Sequence, residues 1–326
     1  MTRKAVAADG AYTPQTGAGV TSLCVAAVLQ NQPAMVDAPS IKKSLSYLEQ
    51  LVQPDGGIYV TDSLHRNYET SLAVQAFSLA NRDGKYDPIL KKAEAYLRGI
   101  QWDDSEEIDA SDPAFGGAGY GRHKRPDLSN TTFFMDALKS LGAGEDDPAI
   151  QKALVFVSRC QNLESQYNNT PHADKVGDGG FYYTPAAGGQ SQAGQTPEGG
   201  LRSYGSMTYA GLKSMIYAGL SKDDQRVKAA MDFIRKTYSL ENNPGMGDAG
   251  LYYYYHTFAK ALDAAEVKTL EDASGEKHDW AQELSKVLVS LQAEDGAWVN
   301  TKNDRWLEGD RNLVTAYALM ALRYCK

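Results

Sequence analysis

Acids, a histidine and scattered arginines stand at matching places in this sequence, each just ahead of a short hydrophobic pattern of helical period. The fullest example runs Asp127-Leu128-Ser129-Asn130-Thr131-Thr132. Asp127 or Ser129 suits a helix N-cap, because a short polar side chain there accepts a free backbone N–H. A buried carboxyl at such a place would also have a raised pKa and could act as an acid. Glu69, Asp127 and Asp136 are the acids expected on these helices; Asp127 and Glu69, with His256, form the candidate catalytic set. His256 suits hydrogen bonding or proton carrying. Arg66, Asn130, Tyr204, Tyr254, Tyr255 and Arg311 are candidate ligand contacts beside them. Helix N-termini are partly positive, and Arg66, Arg202 and Arg311 would strengthen that field, so a diphosphate or carboxylate could bind there. The same arginines could instead pair with Glu69, Asp127 or Asp310.

A repeat positions these residues. When Thr21, Thr70, Thr131, Thr208, Thr257 and Thr315 are aligned, hydrophobic or small residues follow each at four and seven positions, as in Val74 and Phe77 or Met135 and Leu138. Those spacings fall on one helix face. Ahead of each helix lies a glycine-aromatic turn, such as Asp55-Gly56-Gly57-Ile58-Tyr59. Ahead of most turns a second helix ends near a glutamine, over 40–53, 86–101, 147–161, 223–240 and 279–292. The reading is all-α: eleven helices in one domain over 1–326, with six inner helices parallel and their starts at one rim. The first inner helix lacks a partner before Asp9, either because that helix is missing or because the natural chain begins further upstream. Segments 162–176 and 186–200 are polar insertions, the second expected to be a mobile loop.

Composition excludes several classes. Apolar residues make up 42% and charged residues 23%, ordinary for a soluble globular chain. With a net charge of −8, and only the short Arg122-His123-Lys124-Arg125 cluster as a basic run, nucleic acid is not an expected partner. No apolar run approaches the roughly 20 residues of a membrane span. The first residues lack a secretory core, which sets a cytoplasmic default; a truncated or processed start would leave export open. Cys24, Cys160 and Cys325 are too few and too dispersed for a disulfide framework or a metal knuckle. Tyrosine is abundant, 20 against 8 phenylalanines, and suits an apolar wall with polar tips.

The units Gln53-Pro54-Asp55-Gly56-Gly57-Ile58-Tyr59 and Gln292-Ala293-Glu294-Asp295-Gly296-Ala297-Trp298 resemble the glutamine–tryptophan repeats of squalene–hopene cyclases and of protein prenyltransferase β subunits. The resemblance spans nearly the whole chain. It implies an (α/α)6 toroid with a central cavity, and an isoprenoid or other hydrophobic ligand, so that an enzyme of this kind would be a terpene cyclase or prenyltransferase-like. Segment 127–132 is similar to the cyclase Asp-x-Asp-Asp-Thr-Ala element, but Ser129 holds the middle acid's place and Asn130 the next. The ordinary cyclase acid is therefore not retained. Tyr255-His256-Thr257 resembles part of the prenyltransferase zinc site, whose Asp-x-Cys falls at Asp178-Gly179-Gly180; Gly180 replaces the cysteine, so no metal and no cofactor are expected. Three function classes stay open: a hydrophobic-ligand protein, an acidic-polysaccharide binder or lyase, and a non-catalytic interaction scaffold. Peripheral membrane contact through an apolar patch stays open with the first. Whether Asp127, Glu69 and His256 face one space separates the scaffold from the others.

Overall fold

The computed structural model describes residues 7–121 and 125–326; Arg122, His123 and Lys124 lie outside them. Eleven α-helices form among the described residues: α1 Ala18–Asn31, α2 Pro39–Glu49, α3 Arg66–Ala80, α4 Asp87–Arg98, α5 Leu128–Ser140, α6 Pro148–Arg159, α7 Gly205–Tyr217, α8 Gln225–Thr237, α9 Leu251–Ala264, α10 Trp280–Ser290 and α11 Arg311–Arg323. A two-stranded hairpin, β1 Leu270–Glu271 and β2 Lys277–His278, joins α9 to α10. The odd-numbered helices pack each on the next, and α11 packs back on α1, closing a ring of six. The even-numbered helices lie outside this ring: α2 on α1, α4 on α3, α6 against α5 and α7, α8 on α7 and α10 on α11. No helix among the described residues is long and apolar enough to cross a membrane.

The repeat threonine has a specific job. Thr21, Thr70, Thr131, Thr208 and Thr315 each use Oγ1 to accept the backbone N–H of the turn ahead, from Tyr12, Ile58, Ala118, Phe181 and Trp298 at 3.0–3.1 Å. A buried turn amide is thereby satisfied by the helix it feeds. Thr257 differs and bonds only to its own helix, at Tyr253 and Tyr254 carbonyls, because its turn runs directly into α9 from Gly250. The glutamines that follow four of the outer helices, Gln53, Gln101, Gln161 and Gln292, also tie the turns. Gln101 donates to the Gly116 and Ala149 carbonyls, and Gln161 to those of Gly179 and Arg226. Because the glutamines serve the turns, the outer helices stop a few residues earlier than their hydrophobic pattern suggests. Gly116 has φ +83° and packs so closely on the Lys152 carbonyl of α6 that a Cβ would lie 1.8 Å from its oxygen. Glycine is required there.

Segment 186–200 folds on itself rather than standing apart. Thr184 and Gln190 exchange backbone hydrogen bonds, and Arg202 N–H donates to the Gly194 carbonyl. This loop carries Gln192 to the rim of the central cavity.

Candidate functional site: the central cavity

A cavity of about 580 Å³ opens at the N-terminal ends of the inner helices. Its floor is a closed belt of four rings, one each from α3, α5, α9 and α11. Tyr68 meets Phe133 edge-on at 4.9 Å, Phe133 meets Tyr253 at 6.1 Å, and Tyr253 meets Tyr317 at 5.8 Å. The hydroxyls of Tyr317 and Tyr68 close the circuit at 3.2 Å. Offset and edge-on rings at such separations attract beyond their area of contact. Val20, Met207 and Leu313 extend the apolar wall, and Leu64, Trp306 and Leu307 stand half-exposed at the mouth. Trp306 and Leu307 have φ of 56° and 67°, an unusual left-handed pair for bulky residues. Arg305 lies over the Trp306 ring and donates to Gln192 at 2.7 Å, pinning this lip to the 186–200 loop.

Carboxyl and amide side chains answer the helix N-termini that converge on the rim. Glu69 Oε2 accepts the Ala18 N–H at the start of α1 at 2.9 Å, while Val60 N–H and the Ser63 hydroxyl also donate to Glu69. Glu308 Oε1 accepts the Tyr252 and Tyr253 N–H groups at the start of α9, at 2.9 and 2.8 Å. Asp127 caps α5 through Asn130 N–H, Asn243 Oδ1 takes Ser206 N–H in α7, and Asp310 caps α11 through Leu313 N–H. The positive ends of these helices are therefore neutralised from within the fold. Burial raises the pKa of both Glu69 and Glu308, against the hydrogen bonds each accepts.

The proposed site residues do not all meet. Glu69, Asn130 and Tyr204 line the cavity, as expected from their places at the inner helix starts. Asp127 is fully buried one layer behind the wall, where Asn130 Nδ2 donates to both its oxygens and the Tyr183 hydroxyl bonds to it. Burial pushes its carboxyl up to about 6 in spite of those bonds and of Arg125. Ser129, on the first turn of α5, lines the cavity, and its hydroxyl lies 3.2 Å from that of Tyr253. His256 is below the belt, stacked on Tyr317 at 5.7 Å. Desolvation first, then the Lys260 and Lys213 charges, lower its pKa to about 3, which favours the neutral imidazole over the imidazolium.

Four expected ligand contacts turn elsewhere. Tyr254 and Tyr255 point outward and donate to the Ser239 and Leu240 carbonyls, both at 2.7 Å. Helical period explains this: adjacent residues cannot share one face with Tyr253, which takes the cavity side. Arg66 lies over the Tyr59 ring and donates to the Ser63 carbonyl, and Arg311 pairs with Asp295 in the open. Among the described residues no lysine or arginine lines the cavity, so the anion site expected at this rim does not assemble.

Sequence reasoning missed Glu308, Phe133, Tyr253 and Tyr317, which do line the cavity. The last three sit on inner helices at positions the repeat alignment could have ranked; Glu308 sits in an irregular loop with no periodic signal. It also missed an ionic cluster beneath the belt. Asp136 Oδ2 accepts from Lys213 Nζ at 2.7 Å and Lys260 Nζ at 2.8 Å, all three side chains nearly inaccessible. Burial alone would raise Asp136, but the two ammonium groups outweigh it and hold the carboxyl below its ordinary value. Lys213 is desolvated and faces Lys260, which brings it down to about 8 against the pull of Asp136.

No protein-family model and no curated protein sequence matches the chain. Among solved structures it is similar to a variant of the type II terpene cyclase MstE from Scytonema, in complex with its product merosterolic acid A. That match has 13% identity and a TM-score of 0.35 over 98% of this chain and 92% of that one.

Proposed function

We propose that the ring of helices holds an uncharged, isoprenoid-like hydrophobic molecule in its central cavity without performing alkene-protonating cyclisation. The observation that carries this reading is the four-ring aromatic floor under a cavity whose lining has hydroxyls, amides and capped carboxyls but no cation among the described residues. Its volume lies within the about 300–1,000 Å³ usual for small-molecule sites, which are mostly apolar with a few orienting polar groups. The Ser129, Asn130 and Tyr183 side chains supply such a polar end, suited to a hydroxyl or carbonyl. Asp127, Glu69 and His256 face no common space, which speaks against a catalytic set. Asp127, the one acid of segment 127–132, is buried behind the wall and does not line the cavity. Wall and floor also speak against an acidic glycan, which needs cations facing it.

Native mass spectrometry with squalene, farnesol, geranylgeraniol, their diphosphates and oligogalacturonates tests this. Retention of the neutral isoprenoids, with the alcohols held at least as well as their diphosphates, is the expected result. Selective retention of the diphosphates or of the oligogalacturonates would overturn it, as would failure to retain any neutral isoprenoid.

A further inference from the structure

Outside the cavity, the hairpin between α9 and α10 brings three potential ligand side chains together. We propose that Asp272, Glu276 and His278 bind one divalent transition-metal ion, of the zinc type, with solvent completing the coordination. Their ligand atoms all lie within 4.8 Å of one another. Pairing of Leu270 with His278 and of Glu271 with Lys277 sets Asp272 opposite Glu276 at the turn, with His278 two residues beyond Glu276 and so on the same face. Asp272 Oδ1 is saturated by the Ser274 N–H, the Ser274 hydroxyl and the Glu276 N–H, which fixes the turn and leaves Oδ2 directed at the histidine.

The histidine is held the way a metal ligand must be held. Its Nδ1 lies 3.1–3.2 Å from both carboxylate oxygens of Glu283, a partner that would take the Nδ1 proton of a ring whose Nε2 holds an ion. The Tyr238 ring stacks on the imidazole at 4.1 Å, and its hydroxyl donates to the same Glu283 at 2.8 Å. Nε2 is a buried atom whose facing group is Asp272 Oδ2 at 3.5 Å, a long contact with room for an ion to draw both atoms to itself. A tetrahedral zinc with ligands at about 2.0–2.1 Å spans about 3.3–3.4 Å between ligand atoms, so this pair is already near its bound separation. Glu276 is exposed and its side chain can swing to close the third position. One imidazole with two carboxylates favours zinc-like ions over calcium or magnesium, which prefer all-oxygen shells. Ala273 N–H donates to the Arg235 carbonyl at the end of α8, so an ion here would clamp the hairpin between α8 and α10. This site is distinct from Asp178, Gly180 and His256, where the prenyltransferase pattern is broken.

The test is calorimetric titration of chelator-stripped protein with zinc chloride, paired with the visible absorption of the cobalt-loaded protein. Binding of one zinc per chain and an intense tetrahedral cobalt spectrum are expected. His278→Ala and Asp272→Asn should each abolish binding, while Glu283→Gln, on the side of the ring away from the ion, should weaken it by about 10–100-fold. Circular dichroism identifies any variant that has lost its fold, and the remaining one then decides. No zinc uptake by the wild-type chain, an octahedral cobalt spectrum, or undiminished binding in a folded His278→Ala or Asp272→Asn protein would overturn the proposal.

Discussion

Replacing Asp136 by asparagine keeps the shape of the side chain and removes the charge that two buried lysines share. Lys213 and Lys260 lie 2.7 and 2.8 Å from one carboxylate oxygen, and none of the three side chains exceeds 9% exposure. Neither lysine has solvent to turn to, and the two ammonium groups then face each other uncompensated. Breaking a buried ion pair from one side typically costs about 3–5 kcal/mol, because the remaining charge stays desolvated. For 326 residues the unfolding entropy is about 0.7 kcal/mol/K, so the loss corresponds to a Tm lower by about 4–7 °C. The pH dependence gives the sharper check. In the wild-type chain the carboxyl is held below its unfolded value, so its stabilisation is complete above about pH 4 and fades as pH falls through the folded value. In the variant the lysines are pushed below their unfolded value of about 10.4, the unfolded chain binds more protons, and stability rises toward pH 10. Thermal unfolding followed by circular dichroism at pH 7 and pH 10 measures both. A Tm within 1 °C of wild type at pH 7 (about 0.7 kcal/mol), or a deficit that does not shrink at pH 10, refutes the reasoning.

Two further substitutions test the rim. Gly17→Ala places a Cβ at φ +65°, only 2.5 Å from Glu69 Oε2; a loss of about 1–3 kcal/mol in chemical denaturation is expected, and a neutral result would mean the Glu69 cap is loose. Arg66→Ala and Arg311→Ala should each leave the affinity for a neutral isoprenoid within about twofold of wild type by fluorescence titration, since a surface pair is worth about 1 kcal/mol or less even to its own partner. A tenfold loss in either variant would restore an anion-holding role to that arginine.

The all-α architecture was legible because its signals are local and repeated. A threonine, a turn glycine and an apolar residue four positions on recur six times, and five of the six threonines accept the backbone N–H of their turn. The orientation of single side chains was not legible in the same way. Tyr253, Tyr254 and Tyr255 are chemically identical in the sequence, yet only Tyr253 faces the cavity, because three consecutive helical residues point about 100° apart. The arginines were misassigned for a related reason: sequence shows a charge near a helix start but not the Tyr59 ring or the Asp295 carboxylate that takes it outward. Glu308 was invisible because its role depends on a loop reaching across to α9. The Asp136 cluster joins three helices through residues 77 and 124 positions apart from the acid, a pairing with no periodic trace.

The capping acids decide what kind of molecule the cavity can hold. Six parallel helices whose N-termini crowd one rim would, left bare, make a strongly positive mouth and invite phosphate. Here that field is met at five of the six starts, by Glu69 on α1, Asp127 on α5, Glu308 on α9 and Asp310 on α11, with the amide of Asn243 on α7. Each carboxylate accepts the N–H groups an anion would otherwise have taken. A phosphate entering this space would meet spent donors and at least two buried carboxyls, Glu69 and Glu308, on the wall. Their raised pKa values soften the repulsion but offer no attraction in its place. On the proposed function, these capping residues would bias the cavity toward uncharged ligands. The aromatic belt then supplies what a neutral hydrophobic molecule needs: a floor of polarisable faces and edges, with the ionic cluster screened beneath it.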